Sequence, residues 1–165
     1  MKMNIKKKVF THFDSKGKAI MVDVSTKKKT VRTAKASCIL SMQKETFFLI
    51  KDGNTSKGDV FGIARVAGIM AAKKTHELIP LCHPLSISAI TIDFELDDKN
   101  FSIKVRSQCK LDDKTGLEME ALIAVSIAAL TIYDMCKAVD KNIIISDVKL
   151  LEKSGCKSGK FKRKW

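Results

Sequence analysis

The chain has 165 residues, 45% of them hydrophobic, and 31 Lys or Arg residues against 18 Asp or Glu residues, for a formal net charge of +13. A chain of this length and composition can bury a core of its own, which excludes wholesale disorder and predicts a single domain over 1–165. Its longest run without a charged residue, 78–92, has 15 residues, whereas a membrane helix needs about 20 apolar ones. With no secretory signal visible, we expect a cytoplasmic protein without a membrane segment.

The charge is concentrated at the two ends. Nine of the thirteen excess positive charges lie at about 1–10 and 156–165, which leaves +4 for the 145 residues between them. Basic ends can bind RNA or DNA, but the interpretation we favour is that they are solvated and mobile. Basic residues of the body could instead line a pocket for a phosphorylated small molecule. Composition alone leaves both alternatives open.

The five cysteines are widely spaced and odd in number, without a C-x-x-C motif. This pattern argues against a disulfide framework or a zinc site, so no metal is predicted. We expect most of the thiols to fill space in the core.

Alternation of apolar and polar residues predicts strands at 20–24 and 36–42, joined by a polar link over 25–33. A short helix is predicted over 45–51, ended by the turn signal Asp52-Gly53-Asn54. A longer helix over 59–79 would begin at Asp59 as N-cap and stop before Pro80. Its predicted apolar face consists of Val60, Ile63, Ala64, Ala67, Met70 and Ala71.

The second half of the chain predicts a β-hairpin, a helix and a strand. The hairpin pairs 90–96 with 101–106 through Asp97-Asp98-Lys99-Asn100. The helix covers 120–140, and its small side chains would let another element approach closely. A final strand follows at 143–151. Together these elements predict an α+β fold, an antiparallel sheet with helices packed on one face.

Two segments could bind an anion or exchange a proton. Lys57-Gly58-Asp59 lies where a loop enters a helix, a place that favours anions, although a plain cap with a surface lysine is the commoner case. His83 follows Pro80 and precedes Pro84, so its imidazole would be held rigidly. It could act as an acid, as a base, as a hydrogen-bond donor to a phosphate, or as a structural group.

Two pairs of charged residues lie near the start and near the end of the predicted helix 120–140. Glu118 and Glu120 would share a face if extended and diverge if helical; a solvated helix start is the simpler interpretation. Asp134 and Lys137 lie three apart on one face. Because their neighbours are apolar, we expect this pair to be half buried, with the lysine pKa drawn toward neutrality and the pair able to transfer protons.

Six segments together resemble, in order, the signatures of the cyclic pyranopterin monophosphate synthase family of molybdenum cofactor biosynthesis, and the resemblance runs from about 12 to 161. The matching segments read MVDVS from Met21, KGDV from Lys57, ARVAGIMAAK from Ala64, LIPLCHPL from Leu78, TGLEMEAL from Thr115 and ALTIYDMCKAV from Ala129.

The resemblance implies a ferredoxin-like α+β fold assembled as a homohexamer, a trimer of dimers, with active sites at the dimer interfaces. It implies a lyase that converts (8S)-3',8-cyclo-7,8-dihydroguanosine 5'-triphosphate, a cyclised guanosine triphosphate, into cyclic pyranopterin monophosphate with release of pyrophosphate. No metal or organic cofactor, no membrane and no nucleic acid is expected.

The resemblance also assigns roles to residues. Asp134 matches the principal catalytic residue, with Lys57 and Lys137 as its lysine partners. The matches to substrate-binding segments are Leu81, Cys82, His83, Met119 and Glu120. By the same match Arg32 and Lys153 would face the triphosphate, and Glu118 would support the pocket.

The chain departs from the family pattern in its closing motif. Cys156 stands in Gly155-Cys156-Lys157-Ser158-Gly159 where the family usually has a second glycine, so the terminal loop would differ if that position needs a glycine backbone angle. Lys74 and Asn142 replace a usual Arg and Gly.

Two other functions stay open at this point. One is a small basic RNA-binding domain with the same ferredoxin-like architecture, which would need exposed aromatic residues on its strands. Phe94 and Phe101 instead fall on the predicted inward phase. The other is a related enzyme that acts on a different nucleoside triphosphate.

Overall fold

A computed structural model describes residues 12–53, 58–156 and 159–164. Its strands are β1 (Thr30–Ser41), β2 (Ala89–Asp97), β3 (Ser102–Asp113), β4 (Ile144–Ser154) and β5 (Phe161–Lys162). They form one antiparallel sheet in the order β2-β3-β1-β4-β5. The helices are α1 (Lys44–Lys51), α2 (Val60–Lys73), α3 (Thr75–Leu78) and α4 (Glu118–Cys136).

The two long helices, α2 and α4, pack against each other and against one face of the sheet. The core between these layers is made of alternate residues of β1 and β3 and of the small residues of α4. The α+β, ferredoxin-like architecture predicted from the sequence is therefore confirmed.

The close approach of α2 to α4 depends on small side chains. A Cβ atom on Gly68 would lie 2.6 Å from the carbonyl oxygen of Ala124 and 2.4 Å from Cδ1 of Ile92. Ala124 and Ala128 are themselves fully buried. The small residues of α4 thus bring the helix backbones together, as the sequence predicted.

The predicted first strand, 20–24, is wrong. Val22 and Val24 are half buried and alternate with exposed neighbours, but the segment has no strand partner among the described residues. The neighbouring part of the chain forms only an isolated bridge between Phe13 and Ala19. Its alternation comes from facing a groove, described below, and not from membership of the sheet.

The predicted helix over 59–79 is divided in two. Asp59 is its N-cap and accepts a hydrogen bond from the backbone N–H of Gly62 at 2.8 Å. The helical conformation stops at Lys74, where φ is −110° and ψ is 14°, and Thr75 begins α3. The remaining predicted elements are confirmed within a few residues, except that β1 starts earlier, at Thr30, β3 extends further, to Asp113, and α4 stops earlier, at Cys136.

The buried face of α2 also differs from the predicted one. It consists of residues four apart: Val60, Ala64, Gly68 and Ala72. Ile63, Val66 and Met70 instead lie side by side on the outer face, each about half exposed. The sheet and α4 leave room only for small residues, so the larger apolar side chains of α2 point outward.

Part of the basic C-terminal end lies against the sheet. The backbone N–H of Arg163 donates to the carbonyl of Leu151 at 2.9 Å, and Lys160 forms an ion pair with Glu152 at 3.0 Å. Residues 159–164 therefore add the short strand β5 to the edge of β4.

Of the helices in the described ranges, only α4 is long and apolar enough to cross a membrane by composition. It packs on the sheet with Ala121, Val125 and Ala129 fully buried, as a core helix does.

Candidate active site

A groove of about 680 Å³ opens at one end of the sheet. Antiparallel pairing brings three strand ends together there, because Thr30 at the start of β1 faces Asp113 at the end of β3, and Thr33 faces Ser154 at the end of β4. Helix α4 follows β3 directly and begins at the same end. The segment 81–88 leads into β2, whose first residue faces Lys110 near the end of β3.

The groove brings together eight of the eleven residues that the resemblance had singled out: Arg32, Leu81, Cys82, His83, Glu118, Met119, Glu120 and Lys153. They come from four separate parts of the chain, which the topology gathers at one place.

The sequence reasoning missed one wall of this groove. His12, Val22, Val24 and Lys27 come from the irregular segment before β1. The segment is tied down by Lys114, whose ammonium donates to the backbone carbonyl of Ser25 at 2.7 Å. The one available signal was that MVDVS, in the same segment, belongs to the matching motifs. Leu85, Thr115, Gly116 and Cys156 complete the lining.

Arg32 is a buried cation in the groove wall. The residue is only 7% exposed, and its Nε donates to the backbone carbonyl of Asp113 at 2.8 Å. No carboxylate in the described part of the chain forms an ion pair with it. A buried charge normally has a counter-charge, so this guanidinium is suited to binding an anion from the groove.

Lys153 and Glu118 form an ion pair at 2.7 Å beside Arg32. The hydrogen bond to Glu118 raises the pKa of Lys153, while the nearby Arg32 lowers it. Glu118 lies directly over Gly116, where an added Cβ atom would come within 2.0 Å of the carboxylate oxygen Oε2. Only glycine at 116 leaves this carboxylate in place.

Glu120 is buried on the first turn of α4, with 3% exposure. Desolvation raises its pKa to about 7, with a further contribution from the charge of Glu118. The solvated helix start favoured from the sequence is therefore wrong for Glu120. Because α4 is helical from Glu118 onward, the two carboxylates diverge, and Glu120 turns toward the core side of the groove, where it can hold or release a proton near neutral pH.

The groove also contains two of the five cysteines. Burial raises the pKa of the Cys82 thiol, and the charge of Glu120 adds to this effect. Cys82 and Cys156 are half buried, while Cys38, Cys109 and Cys136 are buried in the core. The prediction that most thiols fill core space is confirmed, with these two as exceptions.

Asp134 and Lys137 lie at the opposite end of α4. Sixteen residues separate Glu118 from Asp134, or about 24 Å along the helix. The two side chains pair at 2.6 Å but are 64% and 53% exposed, and the hydrogen bond to Asp134 raises the pKa of Lys137. The predicted half-buried pair with a lysine near neutrality is therefore wrong in the single chain, because none of the described elements covers this surface of α4.

Lys57 lies outside the described residues, which resume at Gly58. Within the described ranges, no group of three or more His, Cys, Asp or Glu side chains is placed to hold a metal ion.

The chain is similar to proteins of one known family. A profile described as the MoaC family matches residues 21–156. A protein of Heliobacterium modesticaldum named cyclic pyranopterin monophosphate synthase is 56% identical over 153 residues, which cover 93% of this chain and 96% of the relative. A protein of the same name from Clostridium perfringens is 57% identical over 151 residues, covering 92% and 96%.

Proposed function

The chain belongs to the MoaC family, and from this premise we propose that the groove at the end of its sheet is the substrate-binding part of its active site. Its activity is that of the relatives named above, cyclic pyranopterin monophosphate synthesis, carried out by a lyase in molybdenum cofactor biosynthesis. The substrate is the cyclised guanosine triphosphate that the resemblance implied, and pyrophosphate leaves.

The buried, unpaired guanidinium of Arg32 carries this proposal. Arg32 and Lys153 stand side by side in the groove wall, and the irregular segment adds Lys27. Cations that line one groove can hold a triphosphate and spread the negative charge that develops on a leaving pyrophosphate. Glu118 holds Lys153 in position through their ion pair.

Glu120 supplies proton exchange at the other side of the groove. Its pKa of about 7 means that protonated and ionised forms coexist at neutral pH. A carboxyl group in that state can donate a proton to a ring nitrogen as the imidazole ring opens and can take it back later. Leu81, Cys82, His83 and Met119 would surround the base portion of the substrate.

The catalytic roles proposed for Asp134 and its neighbour Lys137 require a second copy of the chain; Lys57 is proposed as a further partner from the resemblance alone. Within one chain, about 24 Å of helix separates Asp134 from the groove, too far to act on a substrate bound at Glu120. A symmetric dimer can place the Asp134 end of one copy at the groove of the other. We therefore propose that sites form between subunits of a homohexamer, a trimer of dimers.

The outer surface of the helix layer supports association. Ile63, Val66 and Met70 of α2 expose apolar side chains around a shallow hollow, and Leu130 of α4 is 51% exposed one helical turn before Asp134. Contiguous apolar surface of this kind is typical of protein interfaces.

In the proposed reaction, a substrate hydroxyl attacks the α-phosphorus. The bond between the α-phosphorus and the oxygen that bridges it to the β-phosphorus breaks. The hydroxyl proton passes to the carboxylate of Asp134, and the electron pair of the broken bond leaves with pyrophosphate. The cations at Arg32 and Lys153 stabilise that leaving group. Glu120 exchanges protons with the ring nitrogens, and this step is chemically distinct from the phosphate step.

An RNA-binding function has no comparable support. Phe94 stacks on Phe61 with ring centroids 4.8 Å apart, and Phe101 packs against Phe47 and Phe48. Phe94 of β2 and Phe101, in the turn before β3, are therefore engaged with the helices and do not offer a surface for stacking bases.

Pyrophosphate release from the cyclised guanosine triphosphate, together with fluorescence of the oxidised pterin, tests the function directly. Shared sites are tested by co-expressing Asp134→Asn and Glu120→Gln subunits under different tags and purifying through both. Each variant alone should be inactive. The mixed assembly should recover about a quarter of parental activity. About one site in four combines the unchanged groove of an Asp134→Asn subunit with the unchanged Asp134 of a Glu120→Gln subunit.

A matched mixture of Asp134→Asn with Lys137→Met should recover nothing, because both changes lie on the same end of α4. Absence of recovery in the first mixture would show that sites are not shared between copies. A mass near 18 kDa by light scattering would overturn the hexamer. The cytoplasmic location predicted from the sequence stays a prediction.

A further inference from the structure

We propose that Cys156, which stands where the family usually has glycine, is a positioning residue that holds the Arg32 guanidinium in the anion-binding wall of the groove. The inference rests on the proposed function of that groove, because it assigns Arg32 to the phosphate end of the substrate. It concerns a side chain that the family pattern does not supply.

The contact is direct. Nη1 of Arg32 donates to the Cys156 sulfur at 3.4 Å, while Nε of the same guanidinium donates to the carbonyl of Asp113. The two bonds fix the plane of the guanidinium from two sides. No other side chain of the described residues bonds to this guanidinium in the hydrogen-bond network, so the sulfur is the one side-chain group in that network that orients it.

The backbone around Cys156 is built to keep the sulfur there. Gly155 has φ +82°, and a Cβ atom on it would lie 2.1 Å from the carbonyl oxygen of Val31. The hydroxyl of Thr30 donates to the carbonyl of Gly155 at 2.8 Å. These contacts press residue 155 against the start of β1, which brings the next side chain onto Arg32.

The cysteine itself needs no glycine conformation. Among the described residues, the non-glycine residues with positive φ are Phe101 and Asp147, so Cys156 adopts an angle that any L-residue accepts. The difference from the family pattern therefore leaves the loop unstrained and adds a sulfur to the groove.

The sulfur also lies near the second cation. The pKa of Lys153 is raised chiefly by its hydrogen bond to Glu118, and a smaller part of the increase comes from Cys156. The thiol is half buried and lines the groove beside Arg32 and Lys153, where an alkylating reagent can reach it. An anion bound to the same cations would cover it.

The first experiment measures steady-state kinetics of Cys156→Ala and Cys156→Ser. Loss of one hydrogen bond to a charged group should raise KM about threefold to tenfold in Cys156→Ala. The value of kcat should also fall, because the same guanidinium stabilises the charge on the leaving pyrophosphate. The serine hydroxyl can accept from Arg32, so Cys156→Ser should restore most of the affinity. Equal KM values in the parent and both variants would overturn the inference while leaving the proposed function intact.

The second experiment needs no turnover. Parent protein is treated with iodoacetamide, whose carbon is attacked by the thiolate with loss of iodide, and alkylation of Cys156 and Cys82 is followed separately by peptide mass spectrometry. Inorganic pyrophosphate should slow alkylation of Cys156 in the parent but not in Arg32→Ala. Protection that persists in Arg32→Ala, or no protection in the parent, would contradict the placement of Cys156 at an anion site held by Arg32. If pyrophosphate protects Cys156 although the protein shows no turnover, the proposed function fails and this inference stands.

Discussion

The two ends of α4 carry charged residues of the same types in opposite surroundings. At its first turn, Glu120 is buried and shares a groove with Arg32 and Lys153. At its last turn, Asp134 and Lys137 form an exposed ion pair that the described part of the chain leaves open to solvent. The first end is prepared for chemistry by the fold of the single chain, whereas the second acquires a comparable environment only if another copy covers it.

This difference is what motivates the proposal that the active site is shared between two copies of the chain. Desolvation at the first turn is supplied by the sheet and by the segment before β1. In the proposed shared site, desolvation at the last turn would come from association, and Leu130, one turn before Asp134, is half exposed.

The largest effect should come from the exposed end. We expect Asp134→Asn to lower kcat by about a hundredfold to ten thousandfold, the usual range for loss of a proton-transfer group, without changing the melting temperature. Pyrophosphate release and thermal unfolding measure the two quantities. Asp98→Asn, which alters an exposed ion pair with Lys51 elsewhere, is the matched control and should keep full activity. An Asp134→Asn enzyme as active as this control would remove the exposed end from catalysis.

The burial of Glu120 should make the folding stability depend on pH. Glu120 has a pKa of about 7 in the folded chain, against 4.5 for an ordinary glutamate carboxyl in water. Below pH 4.5 both the folded and the unfolded state hold the proton. As pH rises toward 7 only the unfolded state releases it, so folding loses about 3 kcal/mol over that window.

Replacing the carboxyl by an amide removes that loss. The melting temperature of Glu120→Gln should therefore exceed that of the parent at pH 8 and match it more closely at pH 5, although its activity falls. Glu77→Gln, on the exposed side of α3, controls for the added amide. A Glu120→Gln stability gain that is the same at both pH values would show that Glu120 is ionised throughout.

A smaller effect is expected from the ion pair between Glu118 and Lys153. An alanine at 116 would displace the Glu118 carboxylate, which lies where its Cβ atom would go, and would break the bond to Lys153. We expect an activity loss of up to about tenfold with little change in stability, since a flexible side chain can move aside. The double variant Gly116→Ala/Glu118→Ala should be no worse than Glu118→Ala alone; additive losses would mean that glycine 116 acts through something other than Glu118.

Much of the fold could be predicted from local patterns. The hairpin β2–β3, the cap at Asp59 and the small-residue face of α4 are all visible in residues close together in sequence. The outward turn of Ile63 and Met70 could not be predicted in this way, because it is decided by how little space the sheet and α4 leave. The break at Lys74 has no signal in the local pattern either.

The residues of the site also differ in whether local sequence patterns could identify them. The resemblance supplied eight residues that the structure brings into one groove, since they belong to long matching motifs. The wall formed by His12 and Lys27 was missed because its segment forms neither helix nor strand, and its position depends on distant contacts such as that of Lys114 with Ser25. Burial of Glu120 and exposure of Asp134 both depend on tertiary packing, which periodicity alone does not reveal.

The short strand β5 has a consequence for how the protein avoids unwanted self-association. An uncovered outer strand offers free backbone donors and acceptors to any other chain, a common route to aggregation. Here residues 159–164 cover β4 beside the groove, and the rest of β4 is interrupted by irregular pairing with β1 and by the positive φ of Asp147. The basic end of the chain thus shields a sheet edge from edge-to-edge pairing, and it does so next to the groove, where such pairing would block access for substrate.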